Sequence, residues 1–150
     1  MNSELVNLMP ESRSSQEIRD AVFARANYQC EYCQTPMKFC PDSPSLEHIE
    51  PKSKRGSDDM SNLAMSCQGC NSHKFVSTDS IDPESGRRVP LYNPRRDEWN
   101  HHFRWSPDLT VIIGRTSSGR ATIKKLQPNR PALINLKLLL CQTSRHPAQE

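Results

Sequence analysis

Four of the six cysteines form two Cys-x-x-Cys pairs, and this spacing is typical of a metal site. The pairs are Cys30 with Cys33 and Cys67 with Cys70. A two-residue gap on a tight turn lets both thiolates reach one tetrahedral ion, with Zn–S distances of about 2.3 Å. Each pair supplies half of a coordination sphere, so the sequence predicts one closed structural zinc site. Cys40 and Cys141 have no partner at ligand spacing, and we expect them to be small buried or half-buried apolar residues.

Disulfide bonds and a redox pair are the alternatives for these cysteines. A disulfide framework is typical of secreted chains. The first ten residues lack a basic stretch followed by an apolar one, so we expect no signal peptide and a cytoplasmic location. A redox Cys-x-x-Cys normally occurs once, beside a strand–helix unit. Two pairs separated by residues 34–66 therefore favour zinc.

Polar side chains suited to hydrolysis lie between the zinc pairs or just after them: Glu47, His48, Asn62, Asn71 and His73. Hydrolysis of a phosphodiester needs a nucleophilic water, a base that takes its proton, and a cation that stabilises charge on the phosphate and the leaving oxygen. Histidine can be such a base, because its ordinary pKa is about 6.5. Taken alone, a strand histidine is more often an ordinary polar residue, and an asparagine before Leu-Ala a turn residue. Their combination within a zinc-cysteine frame favours a nuclease.

The order and spacing of these residues resemble the HNH endonucleases of the ββα-metal class. The matching segments are Cys30-x-x-Cys33, Glu47-His48-Ile49-x-Pro51-x-Ser53, Asn62-Leu63-Ala64 and Cys67-x-x-Cys70-Asn71-x-x-Lys74. With the helix before them, they place the resemblance over about residues 18–76. The stretch from Tyr92 to Trp105 is also similar to a C-terminal extension found in a subgroup of these proteins.

The resemblance implies a role for each polar residue. His48 would be the general base, and Asn62 would hold the loop or orient His48 by hydrogen bonding. Glu47 and Asn71 would face each other across the ββα unit and bind one Mg²⁺ or Mn²⁺ ion through oxygen. His73 is an alternative ligand, although two residues along a helix turn it about 200° away from Asn71. Adjacent strand residues point to opposite faces, so the Glu47 side chain is expected to point away from that of His48 unless the strand bends.

Basic residues around this segment suit a partner that carries phosphates. Those assigned to nucleic-acid contact are Lys54, Arg55, Lys74, Arg95 and Arg96. Solvated charge without a partner is the alternative for each. The net charge of +3 is mildly basic, which permits nucleic-acid binding without demonstrating it.

The sequence therefore predicts an endonuclease that nicks or cuts DNA, with RNA as an alternative substrate. The resemblance implies products with 5′-phosphate and 3′-hydroxyl ends. A catalytically inactive, zinc-dependent nucleic-acid-binding module is the alternative function. The Glu47-His48 pair favours the enzyme, because a pure binding module has no need for a base beside an acidic metal ligand.

The secondary-structure elements that position these residues are predicted from hydrophobic periodicity and from residues that break helices and strands. A capping box at Ser14 opens an amphipathic helix predicted over 15–27. Strands at 45–49 and 62–66, joined by a polar loop, lead to a helix that starts at Asn71. In the extension, the predicted elements are strands at 103–105, 110–113 and 121–123, turns at 106–108 and 116–119, and a last helix over 132–140 opened by Pro131. The predicted fold class is α+β, a zinc-stapled ββα-metal core with an N-terminal helix and a C-terminal β-hairpin/helix extension.

The composition limits what packing alone can achieve. Of the 150 residues only 34% are apolar, which is a thin supply of core for this length. We therefore expect zinc to contribute folding free energy. No window approaches about 18 consecutive apolar residues, so no membrane span is expected. The predicted division is a flexible arm (1–13), a nuclease core (14–76), a polar connection (77–90), the extension (91–141) and a tail (142–150).

Overall fold

The computed structural model describes residues 14–147. Its helices are α1 (Ser15–Arg25), α2 (Gln68–Lys74), α3 (Trp99–His102), α4 (Ser117–Leu126) and α5 (Pro131–Gln142). Its strands are β1 (Ser45–His48), β2 (Leu63–Ser66), β3 (Asp79–Ile81), β4 (Arg88–Pro90), β5 (Phe103–Trp105) and β6 (Ile112–Gly114). The predicted arm 1–13 and residues 148–150 of the predicted tail lie outside the described residues. No helix in the described part of the chain is both long and apolar enough to cross a membrane.

The strands form three antiparallel pairs, each of two strands. In the first pair, Ser45 of β1 lies opposite Ser66 of β2, and His48 lies opposite Leu63. Helix α2 follows β2 directly and packs against β1, which gives the predicted strand–strand–helix unit. Helices thus combine with small antiparallel sheets, and the α+β class is confirmed.

Helix α1 begins where the sequence predicts and ends earlier. The Ser14 side chain accepts a hydrogen bond from the Glu17 backbone N–H, which satisfies one of the free donors of the first turn. The helix ends at Arg25, because Asn27 and Tyr28 adopt positive φ angles of 53° and 56° that no α-helix contains. Its buried residue Val22 belongs to the core, and the helix packs against β2.

One hydrophobic cluster joins the zinc-binding half of the chain to the C-terminal extension. It includes Val22, Phe23, Tyr32, Met65, Leu91, Tyr92, Phe103, Ile112, Leu126 and Leu133, together with the four paired cysteines. The Trp99 indole N–H also donates to the Tyr32 carbonyl, with an N···O distance of 2.9 Å. The extension therefore packs on the turn that carries the first Cys-x-x-Cys.

Two predictions for the second half of the chain are wrong. Residues 121–123, predicted as a strand, lie inside α4, and the predicted turn 116–119 is the start of that helix. The Thr116 side chain accepts a hydrogen bond from the Gly119 N–H and so acts as an N-cap. Ala121, Thr122 and Leu126 are buried on one face of the helix. A short apolar segment cannot distinguish a strand from a helix by its pattern, and here the cap and the tertiary packing favour the helix.

The predicted polar connection 77–90 contains the β3–β4 hairpin. Its strands alternate between half-buried and exposed residues, so they lack the apolar alternation that marks a strand in a sequence. The hairpin is anchored by Asp82, which is fully buried and accepts two hydrogen bonds from the Arg120 guanidinium of α4, with distances of 2.9 and 3.0 Å. The Arg120 contacts hold the pKa of Asp82 below its ordinary value.

Candidate functional site

The four paired cysteines meet in one buried cluster. Their sulfur atoms all lie within 4.8 Å of one another, and the Cys33 and Cys67 sulfurs are 3.8 Å apart. A regular tetrahedron with Zn–S distances of about 2.3 Å has S···S edges of about 3.8 Å. The cluster therefore fits one zinc ion, as the cysteine spacing predicts. Within residues 14–147 it is also the only group of three or more His, Cys, Asp or Glu ligand atoms close enough to share an ion.

Hydrogen bonds to sulfur prepare the cluster for metal. The Cys33 N–H donates to Cys30 Sγ and the Cys70 N–H donates to Cys67 Sγ, each at 3.4 Å. The Thr35 hydroxyl lies 3.1 Å from Cys33 Sγ. Hydrogen bonds from neighbouring thiols hold the pKa of Cys33 well below its ordinary value, whereas burial raises the pKa of Cys30 well above it.

The remaining cysteines and the start of α2 complete the description of this centre. Cys40 and Cys141 are free and half-buried, as predicted. Helix α2 begins at Gln68, inside the second Cys-x-x-Cys, and not at Asn71 as predicted. The Cys67 side chain caps it, so the same sulfur serves both the helix and the metal cluster.

Strand β1 presents Glu47 and His48 on opposite faces. The Glu47 side chain is buried in the protein, whereas the His48 side chain is 24% exposed and lines a cleft. This is the ordinary alternation of a β-strand. The two residues therefore have separate sets of contacts, which are described in turn.

Glu47 is held by a phenol and an ammonium. The Tyr32 hydroxyl donates to Oε2 at 2.5 Å, and Lys74 Nζ lies 2.6 Å from Oε1. The Lys74 ammonium also donates to the Ile49 carbonyl at 2.9 Å, and Oε1 has no aligned hydrogen bond from any described residue. Burial raises the pKa of Glu47 above its ordinary value, and the Lys74 charge opposes that rise. Lys74, assigned from the sequence to nucleic-acid contact, is only 2% exposed and serves the protein interior.

Replacing Lys74 with methionine is expected to lower the free energy of unfolding by about 3–5 kcal/mol, because it leaves the buried Glu47 carboxylate without its cation. Urea denaturation followed by circular dichroism measures this change. Lys54→Met is the matched control: Lys54 is exposed, so a change within about 0.5 kcal/mol is expected. Equal stabilities for the two variants would contradict the buried ion pair.

Asn71 lies over the strand face that carries Glu47. Its side-chain amide donates a long hydrogen bond of 3.4 Å to the Ser45 hydroxyl. Ser45 is two residues before Glu47 on β1, so their side chains share a face. The His73 side chain, two residues further along α2, is exposed. Of the two alternative ligands, Asn71 is thus the one that contacts this face of β1.

His48 is held by an acidic residue that the sequence did not reveal. Its Nε2 lies 2.8 Å from Asp58 Oδ1, and Lys52 Nζ lies 3.1 Å from the same oxygen. The hydrogen bond with His48 lowers the pKa of Asp58, so the carboxylate stays ionised. Asp58 lies in an exposed polar loop where acidic residues are common, and nothing in its spacing distinguishes it. The cleft beside it has a volume of about 240 Å³ and is lined by Ser15, Ile18, Leu46, His48, Lys52, Asp58 and Leu63.

Asn62 holds the loop that joins His48 to Asp58. Its side-chain oxygen accepts from the Glu50 N–H at 2.8 Å, and its amide donates to the Ser57 carbonyl at 2.8 Å. Gly56 allows the same loop to close, because a Cβ atom there would lie 1.7 Å from the Glu50 carbonyl oxygen. Of the two roles implied for Asn62, these contacts correspond to holding the loop.

The basic residues divide into exposed side chains and one that is held in an ion pair. Lys54, Arg55 and Arg96 are exposed. Arg96 also lines a cavity of about 320 Å³ that includes Glu50. Arg95 is instead paired with the Glu31 carboxylate, and this ion pair ties the extension to the first zinc turn.

Known protein families agree with this geometry. A family model described as HNH endonuclease matches residues 30–75. We call these matched residues the HNH segment. The HNH segment runs from the first zinc cysteine to the end of α2, so it contains the zinc cluster, both faces of β1 and Asn62. Comparisons with curated proteins and with solved structures found no match.

Proposed function

We propose that the protein is a metal-dependent endonuclease that hydrolyses phosphodiester bonds of DNA, with His48 as the general base. The observation that carries the proposal is the position of His48: it lies within the HNH segment, opens to a cleft, and has Nε2 2.8 Å from the Asp58 carboxylate. A carboxylate accepts a hydrogen bond and cannot donate one when ionised. Asp58 therefore favours the tautomer of His48 that carries its proton on Nε2.

This tautomer leaves the Nδ1 lone pair of His48 free to take a proton. In the proposed reaction, Nδ1 accepts a proton from the attacking water, and the imidazolium that forms is stabilised by Asp58. Lys52 contacts the same carboxylate oxygen, so it limits how far that negative charge extends into the cleft. Asn62 supports the reaction indirectly, since it fixes the loop that carries Lys52 and leads to Asp58.

A divalent ion, Mg²⁺ or Mn²⁺, is part of the proposal, with Glu47 and Asn71 as its protein ligands. Both offer oxygen, the donor that these ions prefer, and Asn71 contacts the strand face that carries Glu47. The Glu47 Oε1 atom lacks an aligned hydrogen bond, which suits a ligand atom, but Lys74 Nζ lies 2.6 Å from it. Binding of such an ion at Oε1 would therefore require the Lys74 ammonium to move away from that atom. When bound, the ion would stabilise charge on the phosphate and on the leaving oxygen.

Exposed basic side chains support DNA as the partner. Lys54 and Arg55 lie in the loop that follows His48, and Arg96 lies at the start of the extension. Each can contact a phosphate without losing an ion pair to any residue between 14 and 147. As part of the proposal we place the protein in the cytoplasm, where reducing conditions keep the cysteines available for zinc.

Incubation with supercoiled plasmid tests the proposal. We expect nicked or linear products in the presence of Mg²⁺ or Mn²⁺, with 5′-phosphate and 3′-hydroxyl ends. Addition of EDTA is expected to stop the reaction. A gel-shift assay with the same DNA runs in parallel, because retention of DNA without cleavage would favour the inactive binding module. A single-stranded RNA in place of the plasmid identifies the preferred nucleic acid.

A further inference from the structure

A fully buried ammonium in the C-terminal extension has no hydrogen-bond partner. Lys137 of α5 is 0% exposed, and no described residue accepts a hydrogen bond from its Nζ. The ammonium lies 4.9 Å from the centre of the Trp105 ring, a cation–π contact. Burying a charge is costly unless it is compensated, and one aromatic face compensates only part of that cost. A negative charge nearby would offset the rest of that cost.

The cysteine cluster is the source of that negative charge. Burial lowers the pKa of Lys137, and the negative charge of the sulfurs of Cys33, Cys30, Cys70 and Cys67 opposes that lowering. Zinc holds cysteines as thiolates. A zinc ion with four thiolates carries a net charge of −2, so the cluster offers more negative charge than one lysine neutralises.

A second cation from the extension contacts the same sulfurs. Arg130 Nη2 lies 3.6 Å from Cys67 Sγ and 4.0 Å from Cys70 Sγ. The guanidinium packs directly on the turn between these cysteines, because a Cβ atom on Gly69 would lie 2.4 Å from Nη2. Its Nη1 donates to the Leu126 and Gln127 carbonyls at 3.0 and 2.8 Å. Arg130 is thus fixed between the end of α4 and the zinc cluster.

Both cations come from one side of α5. Arg130 is the N-cap of that helix, and Lys137 lies seven positions later, about two turns along the same face. Leu133 and Leu140 are buried on this face as well. On this side of the helix Arg130 contacts the zinc cysteines, Leu133 belongs to the hydrophobic cluster that contains them, and Lys137 is fully buried.

We propose that Arg130 and Lys137 neutralise the −2 charge of the zinc–thiolate cluster, so that the C-terminal extension is part of the metal site and helps to retain the ion. The extension then has a role that is independent of nuclease activity. Neutralisation of the cluster charge also explains how the Lys137 ammonium can be completely buried in a chain with few apolar residues. Groups beyond the ligands commonly change metal affinity by about 10–100-fold.

Zinc retention in charge variants tests this proposal. Lys137→Met removes the charge and keeps the length of the side chain, and we expect it to weaken zinc binding about 10–100-fold in competition with a chelator. Lys137→Arg keeps the charge and is expected to restore most of that affinity. Lys124→Met, at an exposed position of α4, is the matched control and is expected to bind zinc as the wild type does.

A packing variant separates charge from structure. Leu140→Ala removes a buried apolar side chain from the same helix and is expected to destabilise the protein with a smaller effect on zinc affinity than Lys137→Met has. If Lys137→Met does not fold, Arg130→Gln is the deciding variant, and we expect its zinc affinity to be lower by about tenfold or more. Zinc affinity equal to the wild type in the folded charge variants would overturn the proposal. An equal loss in Leu140→Ala and Lys137→Met, without recovery in Lys137→Arg, would overturn it as well.

Discussion

Removal of zinc by a strong chelator is expected to unfold the protein. The four cysteines lie inside the hydrophobic cluster, and only 34% of the chain is apolar. Apolar packing alone therefore contributes little folding stability once the ion is removed. Structural zinc contributes an apparent binding free energy of about 10–16 kcal/mol in zinc-finger peptides. That range equals or exceeds the total stability of an ordinary domain, about 5–15 kcal/mol. Thermal melting followed by circular dichroism, with and without chelator under reducing conditions, measures the effect.

Two cysteine variants make the zinc prediction specific. Cys67→Ser removes a proposed ligand and is expected to reduce zinc content and to destabilise the fold, whereas Cys40→Ser is expected to retain one zinc per chain, since Cys40 is outside the cluster. A reduced protein that is folded and free of zinc would contradict the account. A disulfide between any two of the four cluster cysteines would do so too.

Local spacing made the zinc cluster and the ββα unit predictable. A Cys-x-x-Cys turn has nearly the same shape wherever it occurs, so the two pairs indicate their metal without knowledge of the rest of the chain. The strands of the ββα unit were likewise predicted to within about a residue, as Pro44 and Pro51 bound the first of them. Alternation along β1 also led to the correct expectation that Glu47 and His48 point to opposite faces.

Contacts between distant residues were not predictable in the same way. The burial of Lys74 depends on the Glu47 carboxylate and the Ile49 carbonyl, which lie far from it in sequence. Asp58, the partner of His48, lies in a polar loop beside a second aspartate. Neither periodicity nor a motif distinguishes Asp58 from Asp59 in the sequence. From the sequence alone, Lys137 would be expected on the surface, because lysine is almost never fully buried. These positions became clear only from the packing around them.

Replacing His48 with alanine is expected to lower the rate of DNA cleavage by about 10²–10⁴-fold, the usual loss when a general base is removed. The side chain lies on the cleft face of β1, and its ring nitrogen contacts Asp58 and not the zinc cluster. Zinc content should therefore remain at the wild-type level. DNA affinity should change little, because the phosphate contacts are assigned to exposed basic residues of the neighbouring loop and the extension.

The ratio of single-turnover cleavage rates for the wild type and His48→Ala tests the central claim most directly. Both proteins are compared on the same supercoiled plasmid, with Mg²⁺ or Mn²⁺ and with equal zinc content and thermal stability. His101→Ala is the matched control, since that exposed histidine lies outside the HNH segment and should cleave at the wild-type rate. The account predicts a rate for His48→Ala that is lower by at least about 10²-fold. An undiminished rate in this variant would contradict the assignment of His48 as the general base.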